Sequence, residues 1–439
     1  MHHHTISKRG LKASQTALRS DMHLYFRALS NMYHPDDNPD GDFPLNVAEN
    51  KLNWSMLKAK MEDVTKEKSI PHWVAGYTSS LGHQGFREIV SGFLSRYLAK
   101  YPISAHQIAL SAGATSVIEV TSWILGDAGD VAVFPAPCYP VYKQDIGNKA
   151  AIERYDLITH HDTDELNKGL ILTQAHLEKT KQDITESGKQ MKMLVLTQPD
   201  NPTGSIYTKD QLEMAAQWCI QNEIHLIVNE IYGLCLLDIN DSSITNDYDD
   251  PIVFTSFTEM IHQYNSPYLH LWYALSKDLG ISGMRIGLLY THNELLLRAY
   301  ENLNAPSMIS NHTQWLLGEI LSDYTFMDLF LSKQKQSLTE VYVLVTMYLK
   351  KLNIPFVPSY GSLFIWADFS QFLEHPSQEA EHKFWVELYE HTGILFTPGD
   401  GFGHSKRGMF RIVYSCFDKF AIEVAMNRLL LYINTIVLS

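Results

Sequence analysis

Short apolar runs alternate with longer, helix-length stretches through the middle of the chain. Each run has the length of a buried strand, and a segment such as 209–222 has the length of a helix. Strands that alternate with helices favour a mostly parallel sheet with helices on both faces, so the pattern predicts an α/β fold. The clearest predicted strands are residues 131–134, 193–197, 225–228, 269–273 and 286–290.

The pattern changes after about residue 325. A predicted long helix, 326–351, is followed by strand-like runs at 362–367 and 410–414 among further helices. This favours a second, smaller α/β domain, which the polar and turn-rich N-terminal arm would complete. We therefore expect an N-terminal arm with part of the small domain (1–75), a large domain (76–325) and a C-terminal small domain (326–439).

The charge and composition of the chain limit the classes of partner that it can bind. Its 439 residues carry a formal net charge of −14, which disfavours nucleic acid and anionic membranes. The 20 histidines show no metal-ligand spacing, so no metal site is predicted. No apolar run is long enough to cross a bilayer, and basic residues interrupt the opening segment, unlike in a signal peptide. Because the four cysteines are widely spaced without a CxxC pair, we expect a reducing compartment and a cytoplasmic protein.

One lysine stands out as a chemical candidate because it follows the predicted strand 269–273. Lys277 lies in the run ALSKDLG, and Arg285 comes eight residues later. A lysine at the end of a buried strand can form an imine with a carbonyl cofactor, and a nearby arginine can hold that cofactor's phosphate. Most lysines beside a serine are ordinary surface residues. The motif therefore indicates a catalytic lysine only together with motifs elsewhere in the chain.

Other chemically suited residues follow predicted strands or begin helices. The run SAGAT, with Ala114 and Thr115, would leave backbone N–H groups free for a phosphate at a helix start. Tyr139 in PAPCYP could stack on a flat ring, and Asn201 in PDNPTG is held in a rigid turn. Ligands gather at the carboxyl ends of strands in such sheets, so these residues form one candidate set. The set also includes Asn229, Tyr232 and Arg411.

The order and spacing of these motifs resemble those of the fold type I pyridoxal-phosphate enzymes, the class I/II aminotransferase superfamily. The motifs are SAGAT, PAPCYP, NPTG, NEIY, SKDLGISGMRIG and PGDGF followed by FR, and the similarity runs from about residue 40 to about residue 420. NPDG at 38–41 and AENKL at 48–52 further resemble 1-aminocyclopropane-1-carboxylate (ACC) synthases. The resemblance implies pyridoxal 5'-phosphate as cofactor and an aspartate-aminotransferase-like fold, with a mostly parallel mixed sheet in a large cofactor-binding domain and a smaller α/β domain.

Carried over position by position, the resemblance implies the residues that act on the substrate, an amino acid. Lys277 would bond to the cofactor and then move protons at the substrate's Cα. Tyr232 would support this chemistry by hydrogen-bonding the cofactor's ring oxygen together with Asn201. Arg411 would bind the substrate's α-carboxylate through two parallel hydrogen bonds, with Asn201 beside it. Glu49 stands where ACC synthases keep a carboxylate close to the substrate.

The remaining implied residues hold the cofactor. Arg285 would bind its phosphate together with the backbone and hydroxyl groups of Ala114 and Thr115. Tyr139 would stack on the face of the pyridine ring. Tyr77 matches a tyrosine that reaches the phosphate from the neighbouring subunit, so the resemblance also implies a homodimer with shared active sites.

Three positions depart from the family pattern. Asn229 stands where an aspartate usually keeps the pyridine nitrogen protonated, and a neutral amide facing that nitrogen cannot supply the charge. The neighbouring Glu230 should point to the opposite face of its strand. Ala274 replaces a phosphate-binding serine, a role that Ser276 could take over. Leu81 replaces a tyrosine of the ACC synthases, which counts against a true ACC synthase.

The resemblance leaves three functions open. The first is transamination of an amino acid through the imine at Lys277. The second is an ACC-synthase-like lyase that performs β- or γ-elimination on a sulfur-containing amino acid or on S-adenosylmethionine. The third is a degenerate protein that binds the cofactor without catalysis, and the retention of Lys277 and Arg411 argues against it.

Overall fold

Seven strands form the central sheet of the computed structural model, which describes residues 5–15, 19, 21–159 and 170–438. The strands are β2 (Ile108–Ala112), β3 (Val131–Ala136), β4 (Glu153–Ile158), β5 (Met191–Thr197), β6 (His225–Asn229), β7 (Leu269–Ala274) and β8 (Ile286–Thr291). Their order is β2-β8-β7-β6-β5-β3-β4. Strand β8 runs antiparallel to both of its neighbours, whereas the pairs from β7 through β4 are parallel. The predicted mostly parallel mixed sheet is confirmed.

The sheet is buried on both faces, which explains why its strands read as continuous apolar runs. In β5 and β6, Leu194 and Leu226 belong to one hydrophobic cluster, while Met193 and Ile227 belong to another on the opposite face. All five predicted strands lie within observed strands, and the predicted helix 209–222 is observed as Lys209–Gln221. That helix begins with a capping box formed by Thr208 and Gln211, which satisfies backbone N–H groups at its first turn.

Fifteen helices accompany the strands in the described residues. Those preceding or covering the central sheet are α1 (Lys8–Gln15), α2 (Met22–Leu29), α3 (Trp54–Glu67), α4 (Gln84–Leu94), α5 (Ala114–Leu125), α6 (Tyr142–Gly147), α7 (Gln174–Glu186), α8 (Lys209–Gln221), α9 (Thr258–Tyr264), α10 (Leu275–Asp278), α11 (Glu294–Leu303) and α12 (Asn311–Leu321). The C-terminal part adds α13 (Tyr324–Lys351), α14 (Gln378–Thr392) and α15 (Lys419–Leu438). Among the residues described, no helix is long and apolar enough to cross a membrane.

Two small sheets organise the C-terminal part. One is antiparallel, in the order β11 (Thr397–Pro398), β12 (Met409–Val413) and β9 (Phe364–Asp368). The other pairs β1 (Phe43–Pro44) in parallel with β10 (Ile394–Leu395), so the N-terminal arm is hydrogen-bonded to the C-terminal part. A separate hydrophobic cluster joins α2, α13, α14 and α15 to these strands. The division of the chain at residues 75/76 and 325/326 stays a prediction.

Candidate active site

A cavity of about 230 Å³ opens where the parallel strands β5 and β6 end, the edge at which ligands bind in such sheets. It brings together ten of the twelve residues selected from the sequence. They are Ala114, Thr115, Tyr139, Asn201, Asn229, Tyr232, Ser276, Lys277, Arg285 and Arg411. These side chains come from segments nearly 300 residues apart, so their convergence in one cavity marks it as the candidate active site.

Lys277 lies in α10, the short helix that follows β7. Its Nζ donates a hydrogen bond of 2.6 Å to the carbonyl oxygen of Ala48. Burial lowers the pKa of Lys277 to about 8, and the positive charge of Arg411 acts in the same direction, while Glu49 opposes it. The neutral amine, which is the form that attacks a carbonyl carbon, is therefore far more populated near physiological pH than in an ordinary lysine.

Arg285 and the start of α5, two parts of the predicted phosphate site, lie against each other. Gly113 precedes α5 with a φ of +90°, and a Cβ at this position would collide with the guanidinium of Arg285. Arg285 has a φ of +57°, a left-handed conformation that costs about 1–2 kcal/mol for a non-glycine residue. In the described part of the chain, its guanidinium donates only to the carbonyl oxygens of Ser282 and Ala112. Arg285 thus has no acidic partner among the described residues. A cation of this kind beside the N-terminus of a 12-residue helix suits a phosphate.

Aromatic and amide side chains also line the cavity. The ring of Tyr139 meets that of Tyr142 edge-on, with 5.4 Å between centroids. Asn229 donates from Nδ2 to the hydroxyl of Tyr142 at 2.8 Å and accepts at Oδ1 from the N–H of Ile231 at 3.2 Å. The Tyr142 hydroxyl is also 2.8 Å from Oγ1 of Thr197. These hydrogen bonds fix the orientation of the Asn229 amide. Asn229 therefore contributes a neutral group, and no charge, to the cavity wall.

Glu230 points away from the cavity, as strand alternation predicts. Its carboxylate accepts hydrogen bonds from Gln198 Nε2 at 2.8 Å, Ser256 Oγ at 2.6 Å and the N–H of Phe257 at 2.6 Å. This carboxylate is not among the groups that line the cavity. Glu230 therefore does not supply the negative charge that Asn229 lacks.

Arg411, in β12, is a buried cation without an acidic partner among the described residues. Nη1 donates to Oδ1 of Asn201 at 2.8 Å, and Nη2 donates to the carbonyl oxygen of Asn46 at 2.8 Å and to Thr397 Oγ1 at 3.3 Å. Burial lowers the pKa of Arg411 to about 10, so it stays charged at pH 7. A buried guanidinium held only by neutral groups is suited to receive a carboxylate from a ligand.

Two predicted residues are not in the cavity. Tyr77 is fully exposed on the surface of the chain. The carboxylate of Glu49 pairs with Lys51 at 3.0 Å, and it acts on Lys277 only through its charge. A larger cavity of about 790 Å³ borders the candidate site at Arg285, but it contains neither Lys277 nor the tyrosines, so its lining lacks the expected chemistry.

The structure adds cavity residues that sequence reasoning missed. Tyr142 and Asp145 follow Tyr139 at intervals of three residues, a spacing that puts side chains on one face and could have revealed them. Arg19 comes from the N-terminal arm and donates to Asp21 at 2.8 Å. No motif marked Arg19, because its position depends on how the arm packs.

The chemistry of these groups fits pyridoxal phosphate. The cavity offers an amine of lowered pKa in Lys277, a cation at a helix N-terminus in Arg285 and an aromatic wall in Tyr139. Arg411 adds a second cation, which can bind the carboxylate of an amino acid. The aldehyde, phosphate and ring face of the cofactor and the carboxylate of an amino acid thus each have a complementary partner.

Comparison with known proteins points to the same family. The aminotransferase class I and II family matches residues 43–429. Similar relatives include ACC synthase 2 of Cucurbita pepo, 28% identical over 422 residues that cover 93% of this chain and 81% of the relative. An ACC synthase of Glycine max is 27% identical over 413 residues, covering 91% and 82%.

Solved structures support the fold. An aspartate aminotransferase of Thermus thermophilus with maleate has a TM-score of 0.77 at 17% identity and covers 98% of this chain and 99% of its own. An archaeal alanine:glyoxylate aminotransferase has a TM-score of 0.79 at 17% identity, with 98% of each chain covered. At such identities the structures establish the fold alone. The family match and the fold together show that the chain belongs to the class I and II aminotransferase family and is a pyridoxal-phosphate-dependent enzyme.

Proposed function

We propose that this enzyme transfers the α-amino group of an amino acid, with Lys277 as its central catalytic residue. The observation that carries the proposal is the buried guanidinium of Arg411, which has no acidic partner among the described residues and faces the cavity that contains Lys277. A carboxylate bound to Arg411 would place an amino acid's Cα within the same small cavity. The substrate would thus be held at its carboxylate by Arg411, with its α-amino group and Cα near Lys277.

The side chains of the cavity have separate tasks in this proposal. When bound, pyridoxal phosphate supplies a carbonyl carbon for amines to attack and a ring that withdraws electrons from the amino acid's Cα. Lys277 takes and returns the proton at Cα, which its lowered pKa permits near pH 8. Arg411 holds the α-carboxylate in a fixed plane, and its bond to Asn201 orients that amide. Tyr232 is buried and lines the cavity, and its hydroxyl would donate to the ring oxygen of the cofactor.

The other lining residues hold the cofactor. We assign the phosphate to Arg285, to the N–H groups at Ala114 and Thr115, and to the hydroxyl of Ser276. Ser282 also lines the cavity and adds a hydroxyl that the sequence motifs did not indicate. In this assignment a cation, a helix N-terminus and hydroxyls would bind the phosphate together, so the loss of the usual serine at Ala274 would remove one of several contacts.

A lyase acting on a sulfur-containing amino acid or S-adenosylmethionine is the second candidate. It is favoured by the similarity to ACC synthases that are 27–28% identical over most of the chain. Leu81 disfavours it, since this side chain is buried in an apolar cluster with Ala109 and Val117 and offers no hydroxyl to the cavity. Transamination therefore remains the leading proposal.

Single-turnover product analysis distinguishes the candidates. The cofactor-loaded protein is mixed with single amino acids and, separately, with S-adenosylmethionine, while absorbance spectra are recorded. Transamination converts the cofactor to pyridoxamine phosphate and releases one equivalent of keto acid, whereas elimination releases a leaving group and returns the cofactor unchanged. Lys277→Ala is the matched control and should yield neither product. Failure of every compound to change the spectrum or to be consumed would support the non-catalytic alternative.

We also propose a homodimer in which each active site receives Tyr77 from the partner. Tyr77 follows the short helical turn His72–Ala75 and is fully exposed, an unusual state for a large aromatic side chain. An interface between two copies would cover it.

We further propose a cytoplasmic location, which is consistent with four buried free thiols at Cys138, Cys219, Cys235 and Cys416 and can be checked by cell fractionation.

A further inference from the structure

A buried carboxylate faces the candidate active site and has no task in the proposed reaction. Asp145 lies in α6, is 7% exposed and lines the same cavity as Lys277. Its Oδ2 atom is buried and has no hydrogen-bond partner among the described residues. Burying such a group without a partner is costly and needs an explanation, and the position of Asp145 in the cavity wall makes a ligand a suitable partner.

The position of Asp145 places it beside the aromatic wall of the cavity. Tyr139, Tyr142 and Asp145 follow each other at intervals of three residues and all line the cavity. Burial raises the pKa of Asp145 to about 7, with a smaller contribution from the charge of Glu119. Glu119 lies in the second turn of α5, five residues or about 7.5 Å of helix beyond Ala114. Asp145 follows Tyr142 by three residues in α6, and the hydroxyl of Tyr142 is bonded to Asn229.

Asn229 does not offer a charge in this region. Its Nδ2 donates to the hydroxyl of Tyr142, and its Oδ1 accepts from the N–H of Ile231. Glu230 is turned away and engaged by three donors. Among the acidic side chains of the described chain, Asp145 is the one that lines the cavity.

We propose that Asp145 is the acidic partner of the cofactor's protonated ring nitrogen, supplying the charge that Asn229 cannot. A carboxylate and a protonated pyridine nitrogen form a charge-assisted hydrogen bond, which satisfies Oδ2 and stabilises both ions. The phosphate, by contrast, would be repelled by this group. The inference rests on the proposed placement of the cofactor and is independent of which reaction follows.

Competition between two cofactors tests whether Asp145 interacts with the ring nitrogen. Wild-type protein is equilibrated with equal amounts of pyridoxal phosphate and of the analogue in which C–H replaces the ring nitrogen, and the bound fraction is quantified by chromatography after denaturation. Both compounds have the same aldehyde and phosphate, so their ratio isolates the contribution of the nitrogen. Wild type should prefer pyridoxal phosphate by about 10- to 100-fold, as expected for a hydrogen bond between charged groups.

The preference should fall close to unity in Asp145→Asn, while binding of the analogue stays within about twofold of wild type. Asn229→Asp combined with Asp145→Asn should restore a preference for pyridoxal phosphate, because it returns a carboxylate to the wall. Glu119→Gln is the matched control and should retain the wild-type ratio. An unchanged ratio in Asp145→Asn overturns the inference. If that variant does not fold, a wild-type ratio near one overturns it equally, and failure of both compounds to bind overturns the proposed function as well.

Discussion

The buried amine of Lys277 should make the cofactor-free protein less stable in a way that depends on pH. Its pKa falls from 10.5 to about 8 on folding, so folding opposes its protonation. The unfolded chain therefore binds more protons than the folded one between these values, and stability rises with pH there. At pH 7 the cost is about 3 kcal/mol, and at pH 9.5 it is about 1 kcal/mol.

Replacing the lysine by methionine removes this cost and keeps an unbranched side chain. We expect cofactor-free Lys277→Met to be more stable than wild type at pH 7, by a margin that shrinks by about 2 kcal/mol at pH 9.5. Urea unfolding at equal protein concentration, followed by tryptophan fluorescence, gives the difference in free energy of unfolding between the variant and wild type at each pH. Contributions of titrating groups that do not interact with Lys277 cancel because the two proteins are compared at each pH.

The control is Lys58→Met, at a helix position whose side chain is 58% exposed and whose nearest acid is Glu62 at 3.7 Å. Its difference from wild type should be the same at both pH values. A margin for Lys277→Met that does not depend on pH would refute the reasoning, because it would mean that folding leaves the ionisation of this amine unchanged.

Three further outcomes are expected. Borohydride reduction of the cofactor-loaded protein and peptide mapping should locate the adduct at Lys277, and an adduct at another lysine contradicts the proposed site. Arg411→Lys keeps the charge but loses the two-pronged geometry, so kcat/KM should fall at least about 100-fold in steady-state assays while cofactor affinity is retained. Mixed dimers of Lys277→Ala and Tyr77→Phe subunits should regain activity that neither variant has alone. Absence of that recovery, or a monomer in sedimentation, argues against shared sites.

Much of the central sheet could be predicted because its strands are buried on both faces. This burial requires continuous apolar runs such as those of β5, β6 and β7, and such runs are visible without alignment. Strand β4 was not predicted, because it lies at the edge of the sheet and carries Glu153, Arg154 and Asp156. The antiparallel direction of β8 was not predicted either, since strand direction depends on how distant segments pair.

The sequence alone predicts which residues carry the chemistry, because motifs such as SKDLG and NPTG place reactive groups after predicted strands. Ten of these residues do meet in one cavity. The folded structure was needed to show that Arg411 has no acidic partner among the described residues. It also brought Asp145 into the wall, since burial and the charge facing a cavity depend on contacts between segments far apart in the chain.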